Sequence, residues 1–266
     1  MNGRLTIGLL CALAVASCAG SAAPRDTLYQ VSLVNARLAN DSGGEVTLDE
    51  LLRHGNFGLG VFDQLHGEMI VLDGKIYQAE GDGTIERPPL TETTPWAMIT
   101  RFRTDSQLSI DHRMTIDELE AKIDAGLGNL NIFYALRLET RIPMITIQAV
   151  DAETVPSRDV VSVVDGQESW THEDIKGTLV GLRSPSYVGS MNVTGYHWHF
   201  ISADREVGGH VVAAELDRGA VDIDHIRTWE VVLPESDEFG TLDLGTDRSK
   251  DLEPVEEQPA SMNAVP

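Results

Sequence analysis

The sequence predicts an α+β protein, with a mixed β-sheet in its N-terminal part and a mostly β, barrel-like C-terminal part. Short apolar segments broken by glycine turns fill residues 57–88, helical patterns lie on either side of them, and six short β-type segments follow in the second half. The chain has 266 residues, of which 42% are hydrophobic, so it is long enough to bury a substantial core.

The first half alternates between predicted strands and helices. Thr47 is an N-cap followed by acidic residues, and Gly55 stops the same short helix. Gly67, Gly74 and Gly83 each follow a polar residue at a turn, which predicts antiparallel hairpins. The predicted elements are a strand at 28–38, a helix at 47–55, hairpins through 57–88, a strand at 96–104, an amphipathic helix at 115–128 and one or two strands at 131–150.

The second half contains short strands at close spacing, which is typical of a barrel or a sandwich. The predicted strands cover residues 159–166, 177–185, 195–202, 208–216, 220–226 and 228–234. A break in the strand pattern at 150–158 predicts a domain boundary. The expected division is therefore a leader and linker at 1–27, an α+β domain at 28–150, a β-rich metal-binding domain at 151–244 and an acidic tail at 245–266.

The N-terminus is typical of an export signal. Arg4 precedes an apolar run that is too short to be a well-flanked membrane helix, and small residues follow it. The segment ending at Cys18 resembles a bacterial lipobox, in which that cysteine becomes the lipidated first residue. The alternative is ordinary cleavage near Ala22 or Ala23. We expect an exported protein of the periplasm or cell envelope, attached to the membrane through a lipid at Cys18.

Charge and cysteine usage exclude several kinds of site. The formal net charge of −22 argues against nucleic acid and against peripheral binding to anionic lipid, because both need a basic surface. Cys11 and Cys18 are the only cysteines, and both lie in the leader. A cysteine nucleophile, a thiolate metal cluster and a disulfide are therefore excluded from the rest of the chain.

Three histidines in "GYHWHFISADREVGGH" predict a metal site. His197 and His199 lie two residues apart on a predicted strand, so both imidazoles point to the same face. The returning strand of the hairpin brings His210 beside them. Three imidazoles suit Zn²⁺ and other borderline divalent ions, and they leave coordination positions open for catalysis. The pair alone would also suit a polar, solvated strand face.

Proton transfer beside such a metal requires an acid or a base. Glu68 is the candidate, because it follows a glycine turn and begins an apolar strand. A solvated strand edge is an equally good interpretation of this position.

These segments resemble the α-acetolactate decarboxylases from about residue 29 to residue 244. The similarity is carried by "VNARLANDSGGEVTLDELLRHGNFGLGVFDQLHGEMIVLDGKIYQ", "TPWAMITRF", "NIFYALRL", "KGTLVGLRSPSYVGSMNVTGYHWHFISADREVGGH" and "LPESDEF". The resemblance implies zinc-dependent decarboxylation of 2-acetolactate to (R)-acetoin and CO₂. It implies His197, His199 and His210 as zinc ligands and Glu68 as a catalytic carboxylate near the metal.

The resemblance also implies a second catalytic glutamate in the C-terminal tail, which folds back over the site. Counting without a gap places it at Glu256, with Glu253 and Glu257 as alternatives. The family makes homodimers by extending a sheet between subunits, so we expect a homodimer here.

Two positions depart from the family pattern. The family typically has an arginine for the substrate carboxylate in the strand after "FYALRL", and this chain has Gln148 there, or Glu153 if a gap is allowed. Neither supplies a cationic fork. Val61 replaces a frequent threonine. We therefore expect Gln148 and Arg137 to contact the substrate, with Arg183 as another possible source of positive charge.

The departures leave two alternatives to acetolactate decarboxylation. The first is the same metal chemistry on another 2-hydroxy-3-keto acid. The second is a non-catalytic, exported lipoprotein that binds a metal or a ligand.

Overall fold

The computed structural model describes residues 26–149, 168–246 and 248. Within these residues, two seven-stranded sheets dominate. The first sheet has the order β16-β1-β8-β3-β4-β5-β6. Its strands are β1 Thr27–Val31, β3 Phe57–Val61, β4 Glu68–Leu72, β5 Lys75–Ala79, β6 Ile85–Glu86, β8 Trp96–Thr100 and β16 Thr228–Val232. A separate two-stranded ladder pairs β2 Val46–Thr47 with β7 Thr93–Thr94.

The first sheet is mixed, as predicted. β3, β4 and β5 form successive antiparallel hairpins, whereas β1 and β16 pair in parallel. Glycine is required at the turn before β4, because Gly67 has φ +87° and a Cβ there would lie 2.6 Å from the carbonyl oxygen of Ala79. This turn fixes where Glu68 enters the sheet.

The second sheet has the order β10-β14-β13-β12-β11-β15-β9. An additional pairing between β14 and β11 closes β11, β12, β13 and β14 into a ring, which confirms the barrel-like prediction. The strands are β9 Ser106–Ile110, β10 Met114–Thr115, β11 Phe133–Ala149, β12 Glu168–Ser184, β13 Gly195–Ser202, β14 Gly208–Leu216 and β15 Gly219–Ile226.

The described helices are short. They are α1 Val34–Leu38, α2 Leu48–His54, α3 Ile116–Gly126 and α4 Asp237–Gly240, with 3₁₀ turns at Asp63–Leu65 and Ser186–Met191. Thr115 and Glu118 form a capping box that satisfies two backbone N–H groups at the start of α3. Thr47 caps α2 through its hydroxyl, as the sequence predicts.

The layers are held together by three groups of buried apolar side chains. Residues of both sheets, such as Leu59 and Val180, pack against each other in the central layer. Leu48 of α2 packs on the outer face of the first sheet, and Leu119 of α3 packs on the outer face of the second. Leu48, Leu59 and Leu119 are each 0% exposed, and burial of such a side chain contributes about 1.5–3 kcal/mol.

Two predictions about the elements need correction. Residues 28–38 are not one strand, because β1 ends at Val31 and α1 begins at Val34. The sheets also do not divide at residue 150: the second sheet takes β9, β10 and β11 from before that point, and the first takes β16 from after it. Strand pairing between distant segments overrides the break that the local pattern suggests.

Several predicted features lie outside the described residues. They are the leader, the boundary at 150–158, the strand at 159–166 and the acidic tail beyond Thr246, apart from Arg248. In the part of the chain that is described, no helix is both long and apolar enough to cross a bilayer.

Candidate active site

The three predicted histidines meet between the two sheets. His197 and His199 alternate along β13, so both side chains leave the same face, and Trp198 leaves the other. His199 lies directly opposite His210 on β14, which brings the third imidazole to the same face. Gly208 permits this approach, because a Cβ there would lie 2.7 Å from the carbonyl oxygen of Phe200.

The ring nitrogens are close enough to share one metal ion. The Nε2 atom of His197 lies 3.2 Å from Nε2 of His199 and 3.2 Å from Nδ1 of His210. Tetrahedral zinc with Zn–N bonds of about 2.0–2.1 Å separates two ligand nitrogens by about 3.3 Å. The three rings therefore fit the donor set that the sequence predicts, and one nitrogen from each lies within 4.8 Å of the others.

Neighbouring groups fix the orientation of two of the rings. Nδ1 of His199 donates to the backbone carbonyl of Met69, at 2.8 Å, so its Nε2 is left to accept a metal. The indole of Trp96 stacks on His197 with ring centroids 5.8 Å apart. Met69 and Trp96 belong to the first sheet, so both sheets build the site.

The histidines are in the neutral form that binds metals. Burial lowers the pKa of His199 to about 3 and that of His210 to about 4, with a contribution from the positive charge of Arg37 in each case. Burial also lowers the pKa of His197 well below its ordinary value. All three imidazoles are consequently unprotonated at neutral pH.

Glu68 is buried at this site and is not a solvated strand edge. Glu68 is 5% exposed, and its Oε2 lies 3.5 Å from Nε2 of His199. Burial raises the pKa of Glu68 to about 7, and the opposing charge of Arg37 limits the rise. Because the imidazole is neutral, this contact is not an ion pair, and Glu68 is able to hold or release a proton near neutral pH.

Val61 and Gln148 border the same group of residues. Val61 on β3 lies directly opposite Glu68 on β4, and Gln148 on β11 lies directly opposite His210 on β14. Directly opposed residues place their side chains on the same face of a sheet. Both departures from the family pattern therefore lie at the site, while Glu153 lies outside the described residues.

Arg137 forms an ion pair in the structure, and its contact with the substrate stays a prediction. Its guanidinium donates to the carboxylate of Asp73, at 2.7 Å, in the turn after β4. Asp73 is five residues from Glu68, which is about 17 Å along a strand. Arg183 is also occupied elsewhere, because it donates to Asp124 at 2.6 Å and to the carbonyl oxygen of Leu130 at 3.1 Å.

Arg37 is a residue of the site that the sequence analysis missed. It belongs to α1, is 5% exposed, and its guanidinium carbon lies 5.9 Å from the ring centre of Trp96. Its segment, "VNARLA", was expected to be an extension of a strand, and a single arginine in an apolar segment carries no signal of its own. Arg37 reaches the histidines only through the packing of α1, the helix after β1, against the first sheet.

Glu256 and its alternatives lie outside the described residues, so the tail glutamate stays a prediction. The chain leading toward the tail does pass α1: the side-chain amide of Asn35 donates to the carbonyl oxygens of Leu244 and Thr246, at 3.0 Å each. The start of the tail therefore lies beside the helix that carries Arg37.

Comparisons with known proteins agree with this geometry. The family model for alpha-acetolactate decarboxylase matches residues 28–246. The chain belongs to the alpha-acetolactate decarboxylase family. Alpha-acetolactate decarboxylase of Methanosarcina mazei is 38% identical over 232 residues, covering 87% of this chain and 80% of the relative. That of Raoultella terrigena is 35% identical over 224 residues, covering 84% of this chain and 86% of the relative.

A solved member of the family has the same fold. The crystal structure of alpha-acetolactate decarboxylase from Bacillus subtilis strain 168 matches with a TM-score of 0.84 and 32% identity, covering 87% of this chain and 100% of that chain. Membership in the family confirms the resemblance and shows that the chain is an enzyme. The non-catalytic alternative is therefore wrong.

Proposed function

We propose that the protein decarboxylates 2-acetolactate to (R)-acetoin and CO₂, using Zn²⁺ held by His197, His199 and His210. One observation carries the proposal: three buried, neutral imidazoles converge beside a buried carboxyl group with a pKa of about 7, in a member of this family. The resemblance supplies the substrate, the metal and the (R) configuration.

The donor set suits zinc for two reasons. Three neutral imidazoles leave coordination positions for oxygen atoms of a substrate, as catalytic zinc sites do. The carbonyl of Met69 holds the ring of His199 in the tautomer that presents Nε2. When bound, Zn²⁺ would supply a Lewis acid for the ketone and hydroxyl oxygens of the substrate.

The remaining chemistry needs one proton, and Glu68 is placed to deliver it. When the C–C bond to the carboxylate breaks, CO₂ leaves and the electron pair moves into the neighbouring ketone, which gives an enediolate. One proton added to the former carboxylate-bearing carbon then gives acetoin. Glu68 holds its proton near neutral pH because burial raises its pKa to about 7. Delivery from one fixed position would give a single enantiomer.

A metal-content and activity measurement tests the proposal. We expect purified protein to contain zinc, and we expect His199→Ala to lose both bound zinc and at least about 100-fold in acetoin formation, since a Lewis acid supplies several kcal/mol. The control is His112→Ala, because the side chain of His112 is 71% exposed and lies outside the site. Full activity after complete removal of metal would contradict the proposal.

A different 2-hydroxy-3-keto acid is the second candidate substrate. Val61 and Gln148 favour it, because both departures lie on faces that border the site. A panel of 2-hydroxy-3-keto acids with longer alkyl groups, assayed against 2-acetolactate, separates the two. A higher kcat/KM for a longer acid would favour this second candidate.

We also propose that the chain is exported and lipid-anchored at Cys18, and that it works as a homodimer. The apolar leader and lipobox-like sequence support the first proposal. The resemblance supports the second, for which the molecular mass of the purified protein by sedimentation equilibrium is the test.

A further inference from the structure

We propose that Arg37 binds the carboxylate of the substrate, in place of the arginine that the family typically has where this chain has Gln148. The inference rests on the proposed decarboxylase function. It assigns the recognition of the anionic group to α1, on the first sheet, and not to β11 of the ring.

Burial of the charged guanidinium of Arg37 costs free energy. Arg37 is 5% exposed, and its Nε has no hydrogen-bond partner among the residues that the structure describes. Within the same residues, no carboxylate forms an ion pair with it. A buried cation without a partner is expensive, and a bound anion removes much of that cost. The guanidinium is therefore prepared for an anionic ligand.

Arg37 lies close to the proposed metal ligands. Arg37 lies over Trp96, and Trp96 stacks on the metal-ligand candidate His197. Trp96 lies directly opposite Val61, and Val61 lies directly opposite Glu68, so the indole beneath Arg37 shares a face of the first sheet with that carboxyl group. An anion bound to Arg37 would lie beside both the imidazoles and the carboxyl group.

The other residues considered for the substrate carboxylate are either already paired or uncharged. Arg137 and Arg183 already form ion pairs, with Asp73 and Asp124 respectively. Gln148 lies opposite His210 but carries no charge. The guanidinium of Arg37 offers two parallel N–H donors, which match a carboxylate.

This role of Arg37 predicts different changes in KM and kcat when the residue is replaced. The carboxylate is present in the bound substrate and is lost as neutral CO₂, so Arg37 holds a group that the reaction removes. We expect loss of Arg37 to raise KM more than it lowers kcat, because the contact is strongest before the C–C bond breaks.

Two small probes isolate the contact without turnover. 2,3-Dihydroxy-2-methylbutanoate keeps the carboxylate and the hydroxyl group of 2-acetolactate, but a second hydroxyl replaces the ketone, so it has no group to accept electrons. Butane-2,3-diol is the same molecule without the carboxylate. Calorimetric titration of the zinc-loaded protein should show that the wild type binds the acid at least about 10-fold more tightly than the diol, as a hydrogen bond to a charged group allows.

The variant Arg37→Met should reduce this preference to about equal binding of acid and diol. Its thermal stability without ligand should stay the same or increase, since the variant removes a buried charge that has no ion pair among the described residues. A merely structural arginine would lower stability and would not change the preference. The control is Arg113→Met, because the side chain of Arg113 is 59% exposed and lies 3.9 Å from Glu215; it should keep the wild-type preference.

Two further variants keep the proposal testable if Arg37→Met does not fold. Arg37→Lys retains the charge and should bind the acid with intermediate preference. The double variant Arg37→Met, Gln148→Arg should regain the preference, because the guanidinium returns to the position opposite His210. A folded Arg37→Met protein that keeps the wild-type preference overturns the role of Arg37. A wild type that makes no acetoin overturns the proposed function instead.

Discussion

At the residue scale, side-chain alternation accounts for most of the site. The spacing His-x-His places two imidazoles on one face of β13, and the hairpin return supplies the third. Glu68 reaches the site because Gly67 allows the turn before β4. Its raised pKa, in contrast, comes from burial between the sheets, and no neighbour in sequence produces it.

Replacement of Glu68 tests its role in proton transfer. Glu68→Gln keeps the size of the side chain but has no proton to exchange, so we expect kcat for acetoin formation to fall about 100-fold or more. Zinc content should remain that of the wild type, since Glu68 lies next to the ligands and is not one of them. Glu86→Gln, at an exposed position on β6, is the matched control. Wild-type kcat in a folded, zinc-loaded Glu68→Gln protein would refute this role.

At the element scale, α3 supports β13 from behind the site. Trp198 leaves the face of β13 opposite the histidines, and its indole N–H donates to Glu120 of α3, at 2.9 Å. The hydroxyl of Tyr196 donates to Asp124 of the same helix, at 2.7 Å. A cavity of ≈ 700 Å³ lies along this contact and borders His210. The helix thus fixes the strand that carries two of the three imidazoles.

Glu120 makes this contact sensitive to pH. Burial raises the pKa of Glu120 to about 7, from an ordinary value of 4.5. Between these values the folded protein keeps a proton that the unfolded chain has released, so stability falls as pH rises from about 4.5 to 7, and the loss persists above. Glu120→Gln still accepts from Trp198 and avoids this loss.

We therefore expect the difference in free energy of unfolding between Glu120→Gln and the wild type to be about 1–3 kcal/mol larger at pH 8 than at pH 5, in favour of the variant. The lower value allows for solvent screening. Urea titrations at both pH values measure the difference. Glu173→Gln, at an exposed position on β12, corrects for the loss of one charge. Equal differences at the two pH values would show that Glu120 ionises normally.

At the scale of the whole molecule, the site exists only because two sheets meet. β13 and β14 of the second sheet supply the imidazoles, whereas the first sheet and α1 supply Glu68, the carbonyl of Met69 and Arg37. The central apolar layer that joins the sheets also excludes water from the site. Low polarity then lowers the pKa of the histidines and raises that of Glu68.

The proposed export and lipid anchor concern the whole chain and can be tested at Cys18. We expect the wild type, expressed in a bacterium with a lipoprotein pathway, to fractionate with membranes and to dissolve in detergent. Cys18→Ser should not be lipidated, so less of it should fractionate with membranes and incorporation of a labelled fatty acid should stop. A mature wild-type N-terminus next to Ala22 or Ala23, found by mass spectrometry, would instead show ordinary signal cleavage.

The sequence by itself determined the β-rich architecture and the metal-ligand candidates, because strand alternation and glycine turns are local properties. It also determined that His197, His199 and His210 share a face, since that depends only on alternation and one hairpin. The family resemblance added the reaction and was confirmed by the family match over residues 28–246.

Only the tertiary structure decided which charges reach the site. Arg137 pairs with Asp73 and Arg37 lies near the histidines, although nothing in the local pattern distinguishes the two arginines. Sheet order and the burial of α1 are set by contacts between residues far apart in the chain, as is the sharing of both sheets across residue 150. Charge placement depends on those long-range contacts, because a guanidinium acts over a few ångströms of space and not over positions in sequence.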